Sequence, residues 1–112
     1  MIDWVRVREL HDDVGNDEFH AVVELFLDEI ESIMMDLGPA EGARQACGFH
    51  FMTGCARYLG FVAFGLLCES CEAEARAQSL GRAALDRVLA VYASSKRQLF
   101  SDLEYRLAVA AA

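Results

Sequence analysis

Apolar residues recur along this chain at helical rather than strand spacing, and short polar or glycine-rich breaks divide the pattern into segments. The clearest run is Phe19, Val23, Phe26, Ile30, Ile33 and Leu37, stepping by four and three. That spacing paints one stripe on a 3.6-residue helix and reads as a bundle seam. Before it, residues 2–14 carry Trp4, Val5, Leu10 and Val14, with Gly15 placed to cap the end. Asn16 or Asp17 can then cap the second helix, and Gly38 ends it. Pro39 suits the first turn of a third helix running to about Tyr58. The Leu59-Gly60 step breaks that helix. A fourth, over about 61–77, offers Phe61, Phe64, Leu67, Cys68 and Cys71 at helical spacing. A short link at 78–81 leads to a long final helix with Leu85, Val88, Leu89, Tyr92, Leu99, Leu103 and Leu107 as its stripe. Ser95 and Lys96 interrupt this stripe, so its far end is expected to protrude or bend.

No strand alternation, glycine-rich phosphate loop or internal repeat competes with this pattern. Short links between long helices imply antiparallel neighbours. The expected fold is all-α, an antiparallel up-down four-helix bundle with a short additional N-terminal helix across one end. At 112 residues the chain (1–112) is expected to be a single domain with a modest core.

Composition narrows the function classes. Hydrophobic residues make up 54% of the chain and proline occurs once, which favours a helical globule over a disordered tail. The net charge of −8 argues against nucleic acid, whose phosphates require a basic face, and against an anionic membrane surface. No apolar run approaches the roughly 18 residues that span a bilayer. Asp3, Arg6, Arg8 and Glu9 leave no apolar signal-peptide core at the start, so a cytoplasmic protein with reduced thiols is expected.

Within the third helix, residues 49–60 read F-H-F-M-T-G-C-A-R-Y-L-G. At roughly 100° per residue, Thr53, Gly54 and Arg57 fall within about 60° of His50 around the axis, and Met52, Cys55, Ala56 and Leu59 fall opposite. His50 is therefore expected to point outward. Gly54, one turn on, costs about 1 kcal/mol in mid-helix relative to Ala, which suggests that something approaches the ring. Arg57, two turns on, is either a solvated surface arginine or a cation able to screen charge at His50. Phe51 and Tyr58 lie at the edge of this face, as boundary core residues or as part of an apolar docking patch. His11 and His20 have no partners in the sequence and are expected at the surface.

The same segment resembles the signature of histidine-containing phosphotransfer (HPt) domains. In that family a phosphorylatable His is followed by Gly four residues later, a small residue next, and Leu-Gly nine and ten residues later. Here these are His50, Gly54, Cys55, Leu59 and Gly60, with Met52 at the usual aliphatic position. The chain departs from the family in having Thr53 where a basic residue precedes the glycine, and Cys55 where Ser or Ala follows it. A weaker likeness extends from the N-terminal helix into residues 68–75.

The resemblance implies a phosphocarrier of a two-component phosphorelay rather than a true enzyme. His50 would take a phosphoryl group from a receiver-domain aspartyl phosphate and pass it to another receiver aspartate, with Thr53, Gly54 and Arg57 facing the phosphoryl group or the partner. Implied partners are the receiver domains of a hybrid sensor kinase and a response regulator, which would supply Mg²⁺; this chain would bind no cofactor and act as a monomer. Without a nucleotide-binding motif it is expected to have no kinase activity of its own.

Two other readings remain open. One is an HPt-like interaction module that binds a receiver or kinase without efficient transfer. The other is a metal- or redox-linked bundle using Cys47, His50, Cys68 and Cys71. A structural metal site needs four converging ligands, and a thioredoxin-type Cys pair needs a βαβ setting that the pattern lacks. No metal site is therefore assigned, and Cys55, Cys68 and Cys71 are expected as small buried hydrophobes.

Overall fold

The structure is a computed structural model that describes residues 1–38 and 42–111. Every element is an α-helix: α1 (Trp4–Val14), α2 (Asn16–Leu37), α3 (Gly42–Leu59), α4 (Val62–Arg76) and α5 (Arg82–Ala111). Among the described residues the one extended pairing is an isolated antiparallel bridge between Ile2 and Phe61. None of the helices is long and apolar enough to cross a membrane. The expected role of Pro39 lies outside the described residues.

Capping explains the boundaries. Asp3, not Ile2, starts α1: its Oδ1 accepts from the amides of Val5 and Arg6 at 3.1 and 3.2 Å. Ile2 is left extended and buried. Gly15, at φ +85°, closes α1 through its amide to the His11 carbonyl and also opens α2. Neither Asn16 nor Asp17 caps α2 with its side chain. Asn16 is already helical, and its Oδ1 meets His11 Nε2 at 3.2 Å. His11 is thus half-buried and partnered, with its ring edge-on to Phe19 at 5.1 Å, whereas His20 is exposed.

The turn after α3 takes two residues, Gly60 and Phe61. Gly60, at φ +78°, gives its amide to the Arg57 carbonyl, and Phe61 gives its amide to that of Ala56. This is the double closure of a helix ending on a left-handed glycine. The Asp3 amide donates to the Gly60 carbonyl at 2.7 Å. The N-terminal segment is thereby fastened to the α3–α4 turn, and Arg6 reinforces it from its Nε to the Tyr58 carbonyl.

Beyond that turn, α3 and α4 form the most extensive helix pair in the molecule. Small residues let them close up, since a Cβ on Gly65 would lie 3.3 Å from that of Ala56. Phe49, Met52, Ala56, Leu59, Phe64 and Cys68 fill the core between and around them.

In α2 the seam drifts as a 3.6-residue period requires, so Phe19, Val23, Leu27, Ile30 and Leu37 are buried. Phe26 and Ile33, placed in the seam by spacing alone, are half-buried; Phe26 stacks on Tyr58 at 4.3 Å. The expected interruption of the last helix does not occur. Ser95 is 2% exposed and sits in line with Val88, Tyr92, Leu99 and Leu103, so the buried stripe passes through it. Leu89, expected in that stripe, is exposed. Two side chains tie the far half of α5 to α1: Arg106 lies over the Trp4 ring, and Arg8 donates to the Leu107 carbonyl. Tyr92 donates to Glu31 at 2.5 Å, and Lys96 reaches the same oxygen at 2.8 Å, bridging α5 to α2.

Candidate functional site

Phe49 and Met52, both fully buried, fix the rotation of α3. That rotation turns His50 outward, leaving its side chain 75% exposed. One turn on, a Cβ added to Gly54 would meet nothing within 4 Å. No packing constraint within the described residues therefore requires glycine there, although it weakens the helix by about 1 kcal/mol. The ring and the glycine together form a bare strip on the outer face of α3.

Thr53 does not join them as an outward residue. It is 5% exposed, and its hydroxyl donates to the Phe49 carbonyl at 2.8 Å. This i−4 back-bond satisfies the hydroxyl and lets the residue be buried. Thr53 thus borders the depression beside His50 as part of its wall. Tyr58 likewise turns away from the histidine face, packed between the Phe26 ring and the Arg6 guanidinium. Phe51 remains exposed, so the two aromatics do not make one continuous outer patch.

The opposite wall comes from α4. Glu72 Oε1 lies 3.2 Å from His50 Nδ1, and its other oxygen accepts from Arg76 Nε and Nη2 at 3.2 and 2.8 Å. The Arg76 hydrogen bonds, with a smaller contribution from His50, hold the Glu72 carboxyl below its ordinary range. It is therefore a carboxylate at neutral pH and accepts only, which assigns the proton to Nδ1. In the neutral ring the lone pair then lies on Nε2, which has no hydrogen bond to a described residue and belongs to a largely exposed side chain. Arg57 is also committed: its Nη2 pairs with Glu69 Oε2 at 3.0 Å, and both side chains are largely exposed. His50, Thr53, Gly54, Arg57, Glu69, Glu72, Ala73 and Arg76 line one open depression.

No family model, curated protein or solved structure matches this chain.

The depression offers an accessible nitrogen nucleophile whose second nitrogen is held by a carboxylate, with two guanidiniums at its edges. Its α4 side was not singled out in the sequence. Glu69, Glu72 and Arg76 recur at spacings of three and four, away from the buried Cys68, Cys71 and Ala75, so their shared polar face was readable. Their partners on α3 were not, because these depend on how the α3–α4 turn sets the two helices' register.

The cysteines remain separate from the site. Cys55, Cys68 and Cys71 are buried and Cys47 is exposed. Desolvation pushes all three buried thiols up, Cys68 to about 12, which disfavours the thiolate that metal binding or nucleophilic attack requires. Among the described residues no group of three or more His, Cys, Asp or Glu side chains is arranged to hold a metal. Cys47, His50, Cys68 and Cys71 therefore do not converge as a ligand set.

Proposed function

We propose that this chain is a phosphocarrier of the HPt type, in which α2–α5 form an antiparallel up-down bundle with α1 across one end. His50 is its phosphoryl acceptor. The observation that carries this reading is the outward His50 ring, with Nδ1 held by Glu72 and Nε2 open beside a glycine that no internal packing requires.

In the proposed step the Nε2 lone pair attacks the phosphorus of an aspartyl phosphate on a receiver domain. The new N–P bond forms as the P–O bond breaks, and the aspartate leaves as a carboxylate. Nδ1 keeps its proton throughout, so the ring becomes cationic on phosphorylation. Glu72 is then a carboxylate facing that charge, and the interaction strengthens as the bond forms. Passage to a second receiver aspartate is the same step reversed. Mg²⁺ and the groups that stabilise the in-line phosphoryl belong to the receiver in this scheme, and this chain supplies nucleophile, access and docking surface.

The alternative, an interaction module without efficient transfer, draws on a specific feature. With Thr53 buried and Arg57 and Arg76 both paired to glutamates, no cation next to His50 stands uncommitted among the described residues. Mixing the protein with a receiver domain phosphorylated on its aspartate separates the two. A phosphocarrier takes up acid-labile, base-stable label, and His50→Ala takes up none. Binding without label, or equal label on His50→Ala, contradicts the proposal.

A further inference from the structure

The two glutamates that α4 turns toward the depression have different neighbours. Glu72 hydrogen-bonds the reacting ring, whereas Glu69 makes no hydrogen bond to it and instead pairs with Arg57. Arg57 lies two turns after His50 on α3 and lines the same depression. It also lines a second depression, formed with Asp3, Arg6, Phe61 and Leu66, and Glu69 lines both as well. The pair is thus the wall between the two depressions, and Glu69 draws the guanidinium to that wall.

We infer that Glu69 is an inhibitory latch, holding Arg57 away from the phosphoryl position until an incoming phosphoryl group competes for the guanidinium. This rests on the phosphocarrier reading and assigns its regulation to a residue that takes no part in the chemistry.

The geometry favours a latch that opens. Arg57 and Glu69 are 69% and 56% exposed, and they make a single contact rather than a two-pronged one. Exposed pairs of this kind are weak. A phosphoryl group on His50 carries more charge than one carboxylate and presents three acceptor oxygens, so it displaces Glu69 for a guanidinium. In the resting protein the carboxylate keeps the only cation contributed by the outer face of α3 between residues 50 and 57 neutralised. Arg76 does not substitute for it, because Arg76 is held by the same Glu72 that orients the ring.

Phosphoramidate tests the latch without a partner protein. Nε2 forms the new N–P bond as the donor's own N–P bond breaks, and ammonia departs. Loading is followed by phosphorus NMR for the parent, Glu69→Gln, Arg57→Ala and the double variant, all altered only at exposed positions. Glu69→Gln is expected to load faster, by up to about fivefold, the most that releasing an exposed ion pair yields. Arg57→Ala is expected to load more slowly, and the double variant should load like Arg57→Ala. Were Glu69 merely repelling the donor's negative charge, Glu69→Gln would accelerate loading equally with Arg57 removed, and that result overturns the latch. A parent that loads at His50 at the same rate as Glu69→Gln overturns the latch and leaves the phosphocarrier reading standing. A parent that loads neither from phosphoramidate nor from a phosphorylated receiver overturns both.

Discussion

Gly54 and Gly60 stand six residues apart in one segment, and opposite reasons account for them. Gly60 is required from within: its φ is +78°, and a Cβ there would lie 2.7 Å from the Asp3 carbonyl oxygen. Gly54 sits in regular helix with open space where a side chain would go. Folding explains the first; packing among the described residues does not explain the second, which the proposed docking of a receiver would. The same division runs through α3 as a whole, with Phe49, Met52 and Ala56 sealed on one side and His50, Gly54 and Arg57 bare on the other.

The strongest way to break this division is to truncate adjacent residues on its two sides. Phe49→Ala is expected to lose about 3–5 kcal/mol of stability in denaturant unfolding, while His50→Ala stays within about 0.5 kcal/mol of the parent. A large loss from His50→Ala would mean that the histidine serves the fold. The glycines should then separate by sign. Gly60→Ala is expected to lose about 2–4 kcal/mol, from the left-handed backbone and the overlap with Asp3. Gly54→Ala should gain up to about 1 kcal/mol from helix propensity while slowing phosphoryl uptake by a receiver-sized donor. A stabilised Gly54→Ala that transfers as fast as the parent would remove the reason for placing a partner there.

Much of that division was legible in the sequence, because a helix rotates by a fixed angle per residue and the apolar positions of α3 leave one orientation. The glycine stops at Gly15 and Gly60 and the burial of Cys55, Cys68 and Cys71 followed from residue type and the same regularity. What escaped depended on chemistry that periodicity does not carry. Thr53 shares an angle with outward residues, yet its hydroxyl can bond its own helix and be buried. Ser95 looked like a break and is a small residue inside the seam. The contact between His50 and Glu72 spans 22 positions, and it exists because Gly60 and the Ala56–Gly65 approach set the register of α3 against α4.

The smallest expected effect concerns the link between α2 and α5, far from the bare face. Hydrogen bonds from Lys96 and then Tyr92 hold the Glu31 carboxyl below its ordinary 4.5. A carboxyl lowered in the folded state contributes stability that is present above that ordinary value and is lost as pH falls through the lowered one. Both charged side chains are 40% exposed, so the contribution is under about 1 kcal/mol. Glu31→Gln should accordingly flatten the loss of stability below about pH 4.5 in unfolding curves, without altering phosphoryl uptake at neutral pH. A change in uptake would mean that the two regions are coupled.

On the proposed phosphocarrier reading, His50 reacts through Nε2 because Glu72 occupies Nδ1. Proton–nitrogen correlation spectra of the phosphorylated protein, recorded through the imidazole ring, identify the modified nitrogen directly. The expected spectrum has the phosphoryl group on Nε2 of His50 and a proton on Nδ1. A phosphoryl group on Nδ1, or on any residue other than His50, would contradict the account.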